Sequence, residues 1–189
     1  MKLLLTILTV LSSFIANLET KTLKTAFTVT VSEEVASPMN YPGEIIMQGD
    51  KFRLEAMDIE AAYDGKTMYM YSGQTDELTL SNPTEQELLE VNPFRYARAL
   101  ASVCNVTEKP ANDGKQTIIT LTPKDQSIGI NRFVLKVRND DMMPLSVEVK
   151  EGKKSTTLKL KEPKFIPTNP EYIFVLKPSK NTYVNDMRL

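Results

Sequence analysis

Histidine and tryptophan are absent from this 189-residue chain, and Cys104 is its only cysteine. Without histidine, neither a nucleophile–histidine pair nor a Cys/His zinc site can be assembled. A lone thiol forms no intramolecular disulfide, so cysteine usage says nothing about the compartment. The expectation is a protein that is not an enzyme and carries no metal and no cofactor. The 23 basic and 24 acidic residues leave a net charge of −1 and a pI near 5.7. That balance offers no counterion-driven grip on a phosphate backbone, so no nucleic-acid partner is expected. Glycine and proline number only seven and eleven, which favours long continuous elements. With 41% apolar and 25% charged residues the composition is that of a folded chain, read as one domain over residues 1–189.

The first sixteen residues admit two readings. Lys2 followed by the apolar run LLLTILTVLSSFIA has the layout of a signal peptide, although Phe14 sits where cleavage before residue 17 wants a small side chain. The same stretch has helical periodicity, with Ile7, Leu8, Leu11, Phe14, Ile15 and Leu18 on one stripe and threonine, serine and asparagine opposite. It is too short and too interrupted for a membrane span.

From Ala26 onward the period changes to two. Phe27, Val29 and Val31 alternate with threonines, as in a half-buried strand. Residues 43–47 and 51–54 read as strands joined at Gly49-Asp50, and Asp64-Gly65 carries the signature of a two-residue hairpin turn. With that turn, Tyr63 faces Lys66, Ala61 faces Met68 and Ile59 faces Met70. After a strand at 76–81, Thr84 and Glu87 form a capping box leading into Leu88, Leu89 and Val91. Asn92 and Pro93 then start a second helix to about Ser102, with Phe94, Ala97, Leu100 and Ala101 apolar. Strands follow at 103–109, 115–123, 130–138, 144–150 and 154–161. Residues 162–178 read as an ordered loop or edge segment, with short strands at 172–176 and 183–187. About ten strands against two or three short helices imply a sheet that curls or closes, leaving either a packed core or an apolar cavity.

Nine methionines suit a pliable surface for acyl chains, or equally an irregular core. Lys150, Lys153, Lys154, Lys159, Lys161 and Lys164 cluster on one predicted hairpin, where they either meet anionic headgroups or an acidic partner, or protect an edge strand. Asp76, Glu77, Glu85, Glu87 and Glu90 fall in a cap and on an exposed helix face, a placement unsuited to acid/base catalysis. Cys104 reads as a small apolar filler.

Several segments, in order, resemble the LolA family of periplasmic outer-membrane lipoprotein carriers: LKTAFTVTV at 23–31, GEIIMQGDKFRLE at 43–55, DGKTMYMY at 64–71, NP at 92–93, LTPK at 121–124 and VNDMR at 184–188. The resemblance implies an unclosed antiparallel β-barrel of about 10–11 strands with a helical lid, and a first helix over residues 6–20. It implies a monomeric carrier that receives acylated lipoproteins from an inner-membrane ABC transporter and delivers them to an outer-membrane acceptor. The alternative is a lipid- or lipoprotein-sensing module on the same half-barrel. The expected cavity lining, taken from the apolar phase of neighbouring strands, is Phe27, Val29, Val31, Ile45, Met47, Phe52, Leu54, Ile59, Ala61, Met68 and Met70. The expected lid residues are Leu88, Leu89, Phe94, Ala97 and Leu100. The arginine that ties down the lid in the best-studied type is replaced here by Gln48, which offers only weaker, neutral hydrogen bonds.

Overall fold

The computed structural model describes residues 2–34, 36–125, 127, 129–168 and 171–188, and the side chains within them apart from those of 2–9, 171 and 172. Ile7 and Leu8 of the predicted helical stripe therefore lie outside the described side chains. Helix α1 (Lys2–Thr20) leads into β1 (Thr22–Glu33), β2 (Ala36–Gln48), β3 (Lys51–Ala56), β4 (Ile59–Tyr63), β5 (Met68–Ser72) and β6 (Glu77–Ser81). Two helices interrupt the meander, α2 (Glu85–Val91) and α3 (Pro93–Val103). The chain continues through β7 (Cys104–Pro110), β8 (Gln116–Pro123), β9 (Arg132–Arg138), β10 (Pro144–Glu151) and β11 (Lys154–Ile166), ending on β12 (Tyr183–Asp186).

All twelve strands belong to one sheet in the order β12-β6-β5-β4-β3-β2-β1-β11-β10-β9-β8-β7. The outermost strands β12 and β7 are not paired with each other, so the barrel is unclosed. Every pairing is antiparallel except that of β12 with β6. Register places alternating apolar residues of all the central strands on one side: Leu23, Met47, Phe52, Tyr63 and Met68 form one cross-strand row. On the other half, Val147, Leu135 and Ile119 form another row of the same side. Against this face pack Leu11, Phe14 and Leu18 of α1, Leu88 of α2, and Phe94, Ala97 and Leu100 of α3, in one continuous core. The Phe14 and Phe94 rings meet edge to face, with centroids 5.4 Å apart, joining the first and third helices beneath the curl. Cys104 is part of this core.

The helix signals hold in detail. Thr84 and Glu87 make a complete capping box, and the Asn92 side chain accepts from the amides of Phe94 and Arg95 with Pro93 at the first helical position. Four strand expectations do not hold, the first being that β2 begins at Ala36, seven residues before the expected Gly43. The loop between β4 and β5 has four residues rather than two, so Tyr63 faces Met68, Ala61 faces Met70 and Ile59 faces Ser72. The reason is Asp64: its carboxylate accepts from the amides of Lys66 and Thr67, each at 2.8 Å, and from the Tyr69 hydroxyl at 3.1 Å, so only Gly65 needs a positive φ, here 102°. The register moves by two residues and every side chain keeps its face. Strand β11 runs on to Ile166 instead of stopping at Lys161, across a bulge at Glu162 where φ is 50°. The segment expected as a strand at 172–176 holds a 3-10 turn, Glu171–Phe174, whose Phe174 is 1% exposed.

Gly43 stands directly opposite Phe27, whose ring lies over it; a Cβ there would also come within 2.6 Å of the Glu55 carbonyl oxygen. Gly43→Ala is expected to cost about 1–3 kcal/mol of unfolding free energy through overpacking, measured by urea denaturation. Asp64 gives a pH prediction. Burial alone would raise its carboxyl, but the hydrogen bonds from Thr67, Lys66 and Tyr69 outweigh that and hold it below its ordinary value. A depressed folded-state value means its stabilisation is complete above the unfolded carboxyl range and is lost as pH falls through the folded value. Asp64→Ala should therefore destabilise by about 1–3 kcal/mol at pH 7, with the gap to the parent narrowing below about pH 4 in urea titrations.

Candidate functional site

The apolar side of the sheet is covered unevenly. Where α1 and α3 lie on it, burial is almost complete: Phe133, Leu135, Val137, Ile119 and Leu121 are all 0% exposed. Toward β1–β5 the cover ends. Val29, Val31, Leu54 and Ala56 are half-buried, and Met39, Ile59 and Met70, on the same side by register, are 52%, 45% and 44% exposed. Leu158 and Leu160 of β11 and Val149 of β10 extend the half-buried strip beside Val29 and Phe27. The result is a concave apolar surface, closed at the helical end and open across the strands.

All eleven residues expected to line a cavity share this side. Phe27, Ile45, Met47, Phe52, Ala61 and Met68 are buried under the helices or one another, Val29, Val31 and Leu54 are half-buried, and only Ile59 and Met70 stand open. Four of the five expected lid residues, Leu88, Phe94, Ala97 and Leu100, belong to the core, whereas Leu89 is half-buried outside it. The sequence reading missed the β7–β10 half of the lining and the part α1 takes in covering it. The alternation in FVLKV over 133–137 is the sequence signal for the first of these.

Among the described residues the Gln48 side chain bonds to β1 and not to a helix. Its side-chain oxygen accepts from the Thr22 hydroxyl at 3.4 Å, beside the start of β1. The tie has the opposite polarity: the helix carries the arginines. Arg95 of α3 grips the Glu85 carboxylate of α2 through Nε at 3.0 Å and Nη2 at 2.5 Å, and reaches Asp50 in the β2–β3 turn at 3.1 Å. Arg98 adds Asp50 at 2.7 Å and Glu19 of α1 at 3.5 Å. The hydrogen bonds between them hold the Glu85 carboxyl below its ordinary value and the Arg95 guanidinium above its own, so both stay charged. Arginines three apart on the polar flank of an apolar helix stripe were visible in the sequence, but their acceptor lies 45 residues earlier in Asp50.

A carboxylate faces the apolar side. Glu108 of β7 lies in the register row of Ile119, and burial pushes its carboxyl up while the Leu11 amide of α1 donates to it. The opposite, convex side carries a pocket of about 420 Å³ where residues 175–182 cross β3–β6. Its lining mixes Arg53, paired with Glu60, with Tyr71, Leu78 and Leu176. Among the described residues no group of three His, Cys, Asp or Glu side chains is placed to hold a metal ion, and no helix is long and apolar enough to cross a membrane.

This geometry has relatives among solved structures. An uncharacterized conserved protein from Thermus thermophilus superposes with a TM-score of 0.62 over 94% of this chain and 96% of that one, at 16% identity. The Pseudomonas aeruginosa MucA/MucB complex matches with a TM-score of 0.55 over 91% of this chain and 61% of that one, at 17% identity. The chain shares the fold of these structures, an unclosed half-barrel with a helical cover. A LolA superfamily protein from Nitrosomonas europaea aligns over 88% of this chain and 96% of that one, with a TM-score of 0.47 at 10% identity. No family model matches the sequence, and no curated protein does.

In this half-barrel the arginine cluster holds the helices to the sheet at one point. Asp50→Asn is expected to speed amide exchange in α2 and α3 by about tenfold while leaving β1 and β11 unchanged, since exposed ion pairs contribute only about 1 kcal/mol each and act locally. Equal acceleration in the sheet would show that the cluster supports the whole fold instead of the helical cover.

Proposed function

We propose that the protein is a periplasmic carrier that accepts the acyl chains of lipoproteins on its concave face, taking them from an inner-membrane ABC transporter to an outer-membrane acceptor without chemical change. The observation that carries this reading is the apolar concave surface left open between Val31, Leu54, Ile59 and Met70 beside a helical cover clasped at one turn. Burial is worth about 0.8 kcal/mol per methylene, so complete enclosure of a long chain would hold it too tightly for delivery. A surface that covers part of each chain, beside helices with a weak external tie, suits both uptake and release. Exposed and half-buried methionines adapt to chains of different length. The second reading is a lipid- or lipoprotein-sensing module on the same half-barrel that binds acyl chains without delivering them; the MucA/MucB complex shows this fold in a protein–protein assembly.

Binding of a fluorescent acylated peptide tests the proposal. Met70→Asp, at an exposed position of the concave face, should weaken binding by about tenfold or more, whereas Lys66→Ala in the β4–β5 loop should leave it unchanged. Equal effects, or no saturable binding by the parent, would overturn the assignment of the concave face. Passage of the bound peptide to acceptor vesicles then separates carrier from sensor.

A further inference from the structure

The ion pairs of this protein are distributed unequally between its two cation types. Every arginine has a carboxylate partner: Arg53 with Glu60, Arg95 and Arg98 with Asp50, Arg132 with Glu148, Arg138 with Asp141 and Arg188 with Asp186. Among the described residues, Lys24, Lys136, Lys159, Lys161 and Lys164 make no such pair and are exposed. These five share one surface. Register places their apolar strand neighbours on the concave side, so all five fall on the convex side of β1, β11 and β9. Lys24 is the direct cross-strand partner of Lys164, and Lys159 and Lys136 flank Ser146 of β10.

A lysine directly opposite a lysine is unfavourable for the sheet, so this face carries a cost that the fold does not require. Lysines flanking one strand have backbone positions about 10 Å apart, close enough for their fields to add at physiological salt. Small polar residues such as Thr28, Ser146 and Thr157 occupy most intervening positions, and the one carboxylate of β10 among them, Glu148, is paired with Arg132. No aromatic is present among them to stack a base or anchor a protein hot spot, and lysine is depleted from protein–protein interfaces. Ammonium groups on flexible stems act as point charges without the fixed fork of arginine, which suits mobile anionic headgroups better than one rigid partner.

We infer that the convex face of β1, β11, β10 and β9 docks the protein on an anionic phospholipid surface, leaving the concave face free. The test is sedimentation of the full chain with vesicles of phosphatidylcholine alone or with about one-third phosphatidylglycerol. The parent should bind only the anionic vesicles and be released by 0.5 M salt, at which screening is strong. The triple variant Lys24→Glu, Lys161→Glu, Lys164→Glu should lose at least tenfold in binding. A control with Lys66→Glu, Lys177→Glu and Lys180→Glu, away from β1 and β9–β11, has the same net charge and should keep binding near the parent level. The corresponding Lys→Gln set, with thermal melting of each variant, distinguishes lost docking from lost folding. Equal loss in both charge-reversed sets, equal binding to neutral vesicles, or binding of duplex DNA or an acidic polypeptide without vesicle binding would overturn the inference.

Discussion

One tight turn holds both ends of the helical cover. At the β2–β3 junction the Gly49 amide donates to the Leu18 carbonyl at the end of α1 at 2.7 Å, and the Asp50 carboxylate receives the arginines of α3. Gly49 has a φ of 57°, a conformation that costs a side-chain-bearing residue energy, so the chain there can turn sharply and still present its amide to the helix. A sheet of twelve strands whose outer members do not pair has no internal means of covering its apolar side. The cover must come from helices, and their placement converges on this turn. The Phe14–Phe94 contact then carries the tie from the turn into the centre of the core.

The uneven cover follows from helix length. Alpha-helical rise is about 1.5 Å per residue, so the eleven residues of α3 span roughly 16 Å, the width of three or four strands. Helix α1 is longer but crosses toward β7, where its Leu11 amide meets Glu108. Neither helix lies over Ile59 and Met70, which remain open although they belong to the same apolar phase as the buried Ala61 and Met68. Exposure on this face is set by how far the helices reach, and not by side-chain hydrophobicity.

That distinction marks what was legible in the sequence. Period-two alternation assigned all eleven concave residues to one side, and it survived a wrong turn length because the slip was by two. The capping box at Thr84 and the Asn92-Pro93 start were legible because caps are local. The extra length of β11 was hidden by Pro163, which reads as a strand terminator, yet the bulge at Glu162 accommodates it. Long-range facts were not legible. Nothing in the helix shows that Arg95 and Arg98 meet Asp50, and Gln48 drew attention because it occupies the family position, although its partner is Thr22.

The convex side shows why an apolar ligand, as proposed, would be taken up on the other one. On β4–β6 the outward phase is itself apolar, and Ala62, Tyr69, Leu78 and Leu80 are covered by Leu176 of the C-terminal segment, with β12 continuing the sheet beyond. The pocket that remains there contains the Arg53–Glu60 pair, and an acyl chain entering it would strip water from two charges without offering them a hydrogen bond. On the concave side the corresponding rows present Leu54, Ala61 and Met70, which lose nothing by dehydration. The same alternation thus divides the sheet into a face that gains from excluding water and a face whose charges must keep it. Binding of apolar chains can occur only where the first of these is left uncovered.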